Sequence, residues 1–185
     1  MELKGERLLA ADRATAWAAL NDTGILTLCV PGCESITAIG ENRFDIAMTA
    51  AVGPVKAKFK GKLELADIDA PNAYTMKFDA SGGPTGFARG EARVTLAEVD
   101  ARQTKLAYVA NAQVGGKLAQ VGSRLIDAAA GATADKFFEA FGAQLASRAA
   151  PAGEAGAAEA PPPPARIGFF SLLLAFLKRL FGRGG

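Results

Sequence analysis

From Glu34 to about Val114 apolar and polar residues alternate, and turn residues interrupt the alternation at Gly40-Glu41-Asn42, Pro71-Asn72 and Ser81-Gly82-Gly83-Pro84. A period of two is the mark of strands with one buried face. Phe44, Ile46 and Met48 share one such face, and Phe59, Leu63 and Leu65 the next. Tyr74, Met76 and Phe78 follow, then Ala92, Val94 and Leu96, then Leu106, Tyr108, Ala110 and Ala112. With Glu34–Ile39 this predicts six strands. A short strand over residues 2–10, with Leu3 and Leu8 as its apolar positions, makes seven. Short turns between them predict a meandering antiparallel sheet.

The period lengthens on either side of the alternation. Asp12 reads as the N-cap of a helix running through Trp17 and Leu20 to Asn21, and a second helical piece, Ile25 to Cys29, ends at Pro31-Gly32. After Gly115-Gly116, apolar residues recur every three or four positions at Leu118, Val121, Leu125, Ala129, Ala132, Phe138, Phe141 and Leu145. That spacing predicts one helix from Gly115 to Arg148, roughly 48 Å long at 1.5 Å per residue. Arg124, Asp127 and Asp135 fall on its other side. A sheet with one apolar face needs a cover, and this helix is the long one available. The expected fold class is α+β: a curved antiparallel sheet of six to seven strands gripping a long C-terminal helix.

Small residues collect in the middle of that helix, at Gly122, Ala128, Ala129, Gly131 and Ala132. A helical glycine costs about 1 kcal/mol against alanine, so two of them need a reason. The sheet positions expected to face them are small too: Ala88, Gly90, Ala92, Ala110 and Ala112. Close packing of helix on sheet would use these residues, and so would an internal apolar cavity.

Charge and composition narrow the chemistry. Residues 1–148 hold 17 of the 21 Lys and Arg and 17 of the 19 Asp and Glu, so the net charge of +2 lies in the tail. A neutral body argues against nucleic acid as a partner. The chain has no histidine, which removes the usual general base and the commonest metal ligand. Cys29 and Cys33, in Cys-Val-Pro-Gly-Cys, lack the further ligands a zinc site needs, so they read as ordinary thiols beside a turn and no metal site is expected. The charged start Met1-Glu-Leu-Lys-Gly-Glu-Arg has no apolar core region of a signal peptide, so a cytoplasmic body is expected.

Three stretches carry a resemblance: Val30-Pro31-Gly32-Cys33-Glu34, Gly53-Pro54-Val55-Lys56-Ala57-Lys58-Phe59-Lys60-Gly61-Lys62, and Ala112-Gln113-Val114-Gly115-Gly116-Lys117-Leu118-Ala119-Gln120-Val121-Gly122-Ser123-Arg124-Leu125-Ile126-Asp127. Together with the order of elements they are similar to the carbon monoxide dehydrogenase G-subunit family, over about residues 1–148. The resemblance implies a START-like (SRPBCC) helix-grip domain around an apolar pocket. It also implies an accessory protein, not a catalytic subunit, for an aerobic molybdenum-containing carbon monoxide dehydrogenase or related hydroxylase at the cytoplasmic membrane. No catalytic residue is carried over.

A pocket in such a domain would be lined by Phe44, Met48, Phe59, Met76, Phe78, Ala92, Ala110, Leu118, Val121 and Leu125, and would suit a bound quinone or lipid and no covalent cofactor. Two other readings stand beside it. One is a scaffold that tethers the dehydrogenase without any ligand. The other is a cyclase- or hydrolase-type enzyme of the same fold, whose proton shuttle would have to come from Tyr74, Tyr108 or scattered acids.

Beyond the body, residues 149–165 are rich in Ala and Pro and read as a flexible linker reaching roughly 20–50 Å. In residues 166–185, Phe169, Phe170, Leu173, Phe176, Leu177, Leu180 and Phe181 lie within an apolar arc of about 200°, with Lys178 and Arg179 opposite. At roughly 22 Å the segment is short of the roughly 30 Å hydrocarbon core. It is expected to lie in the plane of an anionic membrane surface as a peripheral anchor. Packing back on the domain or into a partner groove, or spanning the bilayer, are the alternatives.

Lys56, Lys58, Lys60 and Lys62 alternate along one strand and face one way. They would make a docking stripe for headgroups or an acidic partner, or a solvated face neutralised by carboxylates such as Glu91. Ser81-Gly-Gly-Pro-Thr-Gly and Gly116-Lys117 both fail the phosphate-loop pattern, and Asp67 and Asp69 lie beside a turn without a pocket to act in.

Overall fold

The computed structural model describes residues 1–149. In chain order the elements are β1 (Glu2–Leu9), α1 (Arg13–Leu20), α2 (Thr23–Cys29), β2 (Cys33–Gly40), β3 (Arg43–Val52), β4 (Val55–Asp69), β5 (Ala73–Ser81), β6 (Phe87–Asp100), β7 (Gln103–Gly115) and α3 (Ser123–Ala149). Short 3-10 segments occupy Gly83–Thr85 and Gly116–Val121. The linker and amphipathic segment expected beyond α3 lie outside the described residues. No helix among the described residues is long and apolar enough to cross a membrane.

The seven strands form one antiparallel sheet in the order β1-β7-β6-β5-β4-β3-β2. β2 to β7 are a meander, and β1 adds to β7 at the far edge. Consequently α1 and α2 carry the chain from one edge of the sheet to the other. Each is started by an aspartate: Asp12 accepts from the Thr15 backbone N–H at 2.9 Å, and Asp22 accepts from Gly24 and Ile25. The strands are long and strongly bent, with a bulge in β4 at Ala66–Asp69 where Asp67 takes φ of +49°. At Gly90 the neighbouring strand comes so close that a Cβ would collide with the Asn111 carbonyl oxygen.

The core gathers at one end of the curl. Phe141 and Leu145, from the second half of α3, are fully buried against Ala16, Leu20, Ile25, Tyr74, Val94, Leu96 and Leu106. Each such side chain contributes roughly 1.5–3 kcal/mol by leaving water. Phe137, Phe138 and Phe141 form a chain of ring contacts at 5.0–5.6 Å, and Phe138 stacks on Tyr108 at 5.5 Å. Buried Thr104 donates its hydroxyl to the Ala11 carbonyl at 2.8 Å, which leaves no orphan polar group there.

Three expectations need correction. The long helix starts at Ser123, not at Gly115, because Gly122 takes φ of +94° and ends a separate 3-10 segment. This break resets the helical phase, so Leu125 and Ala132 are exposed while the inward track follows Ile126, Ala130, Ala134, Phe138, Phe141 and Leu145. Second, Leu8 is 60% exposed, since the β1–β7 register turns Leu3, Gly5, Arg7 and Leu9 inward. Third, α2 begins at Thr23, two residues before Ile25, because Asp22 caps it there.

Candidate functional site

The helix does not lie flat on the sheet. α3 packs against α2, against β1 near one edge and against β3 near the other. Beneath it the middle strands present two apolar rows. Phe44, Leu63, Phe78, Gly90 and Ala112 are in register across β3 to β7. Leu65, Met76, Ala92 and Ala110 form the adjacent row, which continues to Leu3 on β1. The bulky side chains stand on the β3–β5 side, the small ones on β6 and β7.

Burial separates this region from the core. Phe44, Met48, Met76, Phe78, Ala110 and Val121 are all half-buried, although they face the helix. Phe59, Ala92 and Leu118 are buried. Phe59 lies over the backbone of Gly82, where a Cβ would come within 2.8 Å of the ring. Leu125 is 49% exposed and sits at the rim beside the β3–β4 turn, its Cδ1 3.6 Å from where a Gly53 Cβ would be.

The small residues of α3 can now be assigned. A Cβ on Gly131 would meet nothing within 4 Å. Close packing against the sheet is therefore not what keeps that position small. The inner face of the sheet is thus apolar and only half-buried on the side of the first half of α3, and fully buried at the Phe141 end.

One polar side chain reaches the inner face where sequence reading did not place it. Arg7 projects inward from β1, pairs with Asp135 of α3, and holds its guanidinium carbon 5.3 Å from the Phe138 ring centre. Tyr108 lies on the same side, its hydroxyl over Gly5, where a Cβ would be 2.7 Å away. The signal was present in the odd-numbered frame Leu3-Gly5-Arg7-Leu9, which the apolar pair Leu3 and Leu8 concealed. Tyr74 is deeply buried, edge-on to Trp17 at 5.6 Å, and burial pushes its phenol up to about 12. Its proton is held too tightly for acid–base exchange near neutrality.

The lysine row faces outward, as its spacing demands. Lys58 binds Glu34 at 3.1 Å, and Thr49 donates to the same carboxylate at 2.9 Å. These two contacts, the Thr49 hydroxyl first, hold the Glu34 carboxyl below its usual range. Glu91 is not the neutralising partner: it stands opposite Lys77 and Asn111, two strands from β4. Two open concavities also lie against the strands, one of them lined by outward residues such as Asp79, Arg89 and Glu91 together with inward-row Phe78 and Ala112. Cys29 is buried and Cys33 half-buried, both free, and burial raises both thiols. The residues expected to bind membrane, Phe169, Phe170, Leu173, Phe176, Leu177, Lys178, Arg179, Leu180 and Phe181, lie outside the described residues.

Comparison with solved structures finds the same architecture repeatedly. A conserved protein from Geobacillus kaustophilus superposes with a TM-score of 0.75 at 30% identity, over 80% of this chain and 96% of that one. A START superfamily protein from Mycobacterium smegmatis gives a TM-score of 0.62 at 10% identity, over 80% and 98%. An aromatase/cyclase from Streptomyces sp. R1128 gives 0.61 at 14%, over 84% and 99%. The last two establish the START-like helix-grip fold alone. No match was found among curated proteins. The family model for CoxG, the carbon monoxide dehydrogenase G-subunit, matches residues 5–146, from within β1 to near the end of α3, and the chain belongs to that family.

Proposed function

We propose that this protein is an accessory component of an aerobic, molybdenum-type carbon monoxide dehydrogenase or a related hydroxylase, and that the inner face of its sheet holds an apolar small molecule such as a quinone or lipid. The family match supports the partnership. The observation that carries the ligand is that Met76, Phe78 and Ala110 on the inner face of the sheet are only half-buried, while a Cβ on Gly131 of α3 would meet nothing within 4 Å. An apolar surface of that kind, left wet, loses the roughly 25 cal/mol per Å² that a ligand would recover. In this reading the protein is not catalytic. The amphipathic tail keeps it on the cytoplasmic face of the membrane as a peripheral protein, and the ligand moves between membrane and enzyme.

The experiment is organic extraction and mass spectrometry of the full chain beside residues 1–149, both purified from membranes of a quinone-containing host. A quinone or lipid near one-to-one in both supports a ligand-holding body. Ligand found with the full chain alone is co-purified membrane. Absence from both turns the protein into a ligand-free scaffold for the dehydrogenase.

A further inference from the structure

The end of the body opposite the Phe141 core is assembled from four pieces that pack on one another: the tip of the β3–β4 hairpin, the 3-10 turn Gly83–Thr85, the 3-10 segment Gly116–Val121 and the first turn of α3. β4 pairs with β5 only from Lys60 onward, opposite Ser81, whereas its pairing with β3 continues to Val55. The hairpin therefore projects past the sheet as a two-stranded arm, tied down by Leu125 beneath Gly53.

Charge is unevenly distributed along that arm. Its outer face carries Lys56, Lys58 and Lys60, about 7 Å apart. Lys58 is held by Glu34, while Lys56, Lys60 and Lys117, the last on the neighbouring 3-10 segment, form no ion pair among the described residues. The carboxylates Asp45, Glu64, Asp79 and Glu91 stand further along the strands, away from the tip. At the same end of the body Phe87, with the Arg89 guanidinium over its ring at 5.3 Å, is 37% exposed, and Leu125 is 49% exposed.

We propose that this end of the body is a docking face for an anionic lipid bilayer, separate from the tail. Unpaired lysines spaced along an arm match a fluid array of phosphates better than a fixed acidic protein surface, which would call for directed, bidentate partners. Phe87 and Leu125 enter the headgroup boundary. Each lysine near an anionic leaflet changes partitioning about fivefold. These cations and apolar groups belong to the tip itself and do not depend on the ligand.

The test is sedimentation with vesicles of phosphatidylcholine alone and of phosphatidylcholine with about one-third phosphatidylglycerol, using the full chain and residues 1–149. The Geobacillus protein is covered over 96% of its length by 80% of this chain, so the body constitutes a domain by itself. The body is expected to pellet with the anionic vesicles, to stay in solution with the neutral ones, and to be released by about 0.5 M salt. The triple variant Lys56→Glu/Lys60→Glu/Lys117→Glu should lose about 100-fold in partitioning with an unchanged thermal melt, and Leu125→Ser about threefold or more. A body that ignores both vesicle types overturns the proposal, as does a triple variant that binds like the parent or a body that binds polyglutamate but no vesicles. Mass spectrometry of the same preparations reads the ligand separately, so the failure of either reading leaves the other measurable.

Discussion

Arg7 of β1 pairs with Asp135 of α3, and its guanidinium lies over Phe138 at 5.3 Å. One side chain thus joins the edge strand to the helix by charge and by ring contact. The carboxylate side is 70% exposed, so the ion pair itself contributes little, about 0–1 kcal/mol. The cation–ring contact adds about 0.5–1 kcal/mol. Arg7→Ala should cost roughly 1–2 kcal/mol in urea unfolding and Asp135→Asn less than half of that. Equal losses would show that the ring contact is inert.

Gly131 and Phe141 lie on the same helix and should respond in opposite directions. A Cβ at Gly131 meets nothing within 4 Å, so Gly131→Ala should gain about 0.5–1 kcal/mol from helix propensity in the ligand-free protein. Phe141 is fully buried, and Phe141→Ala should cost about 3–5 kcal/mol. Thermal melts of the two variants check both. A destabilising Gly131→Ala would mean that α3 sits closer to the sheet than the open space at that position indicates.

Tyr74, one of the two tyrosines of the chain, should titrate late. Burial raises Tyr74 to about 12 from an unfolded value near 10. A folded pKa raised in this way leaves the stabilisation intact below pH 10 and removes it as pH climbs from about 10 towards 12. Absorbance at the tyrosinate band should therefore show a late step that coincides with loss of near-ultraviolet dichroism. Tyr74→Phe should abolish that step.

Ala110 tests the proposed ligand site directly. It is half-buried on the β7 floor, in line with Ala92 and Leu3. Ala110→Leu fills space under α3, and any bound quinone or lipid should fall several-fold in extracts while the melting temperature holds or rises. An unchanged ligand content would place the ligand elsewhere.

Much of this architecture could be read without coordinates. Alternation in the meander depends on local sterics and on one buried face, and it located the strands and the inward set Phe44, Met48, Phe59, Met76 and Phe78. Asp12 capped its helix because a cap is a contact over three residues. The family followed from the stretches around Gly53–Lys62 and Ala112–Asp127, which the family model spans. Tertiary structure decided what depends on distant partners or on a single torsion. The left-handed Gly122 separated a 3-10 segment from α3 and shifted Leu125 to the rim, which periodicity cannot register because it assumes one continuous phase. Pairing with β7 turned Arg7 inward and Leu8 out, since strand facing is chosen by register across about 100 residues of chain and not by the hydrophobicity of one side chain. Whether small residues mean contact or space was likewise undetermined by their identity. The packed structure decided it at Gly131, where a Cβ would meet nothing within 4 Å, because the space around a helical residue is set by its distant neighbours and not by its own identity.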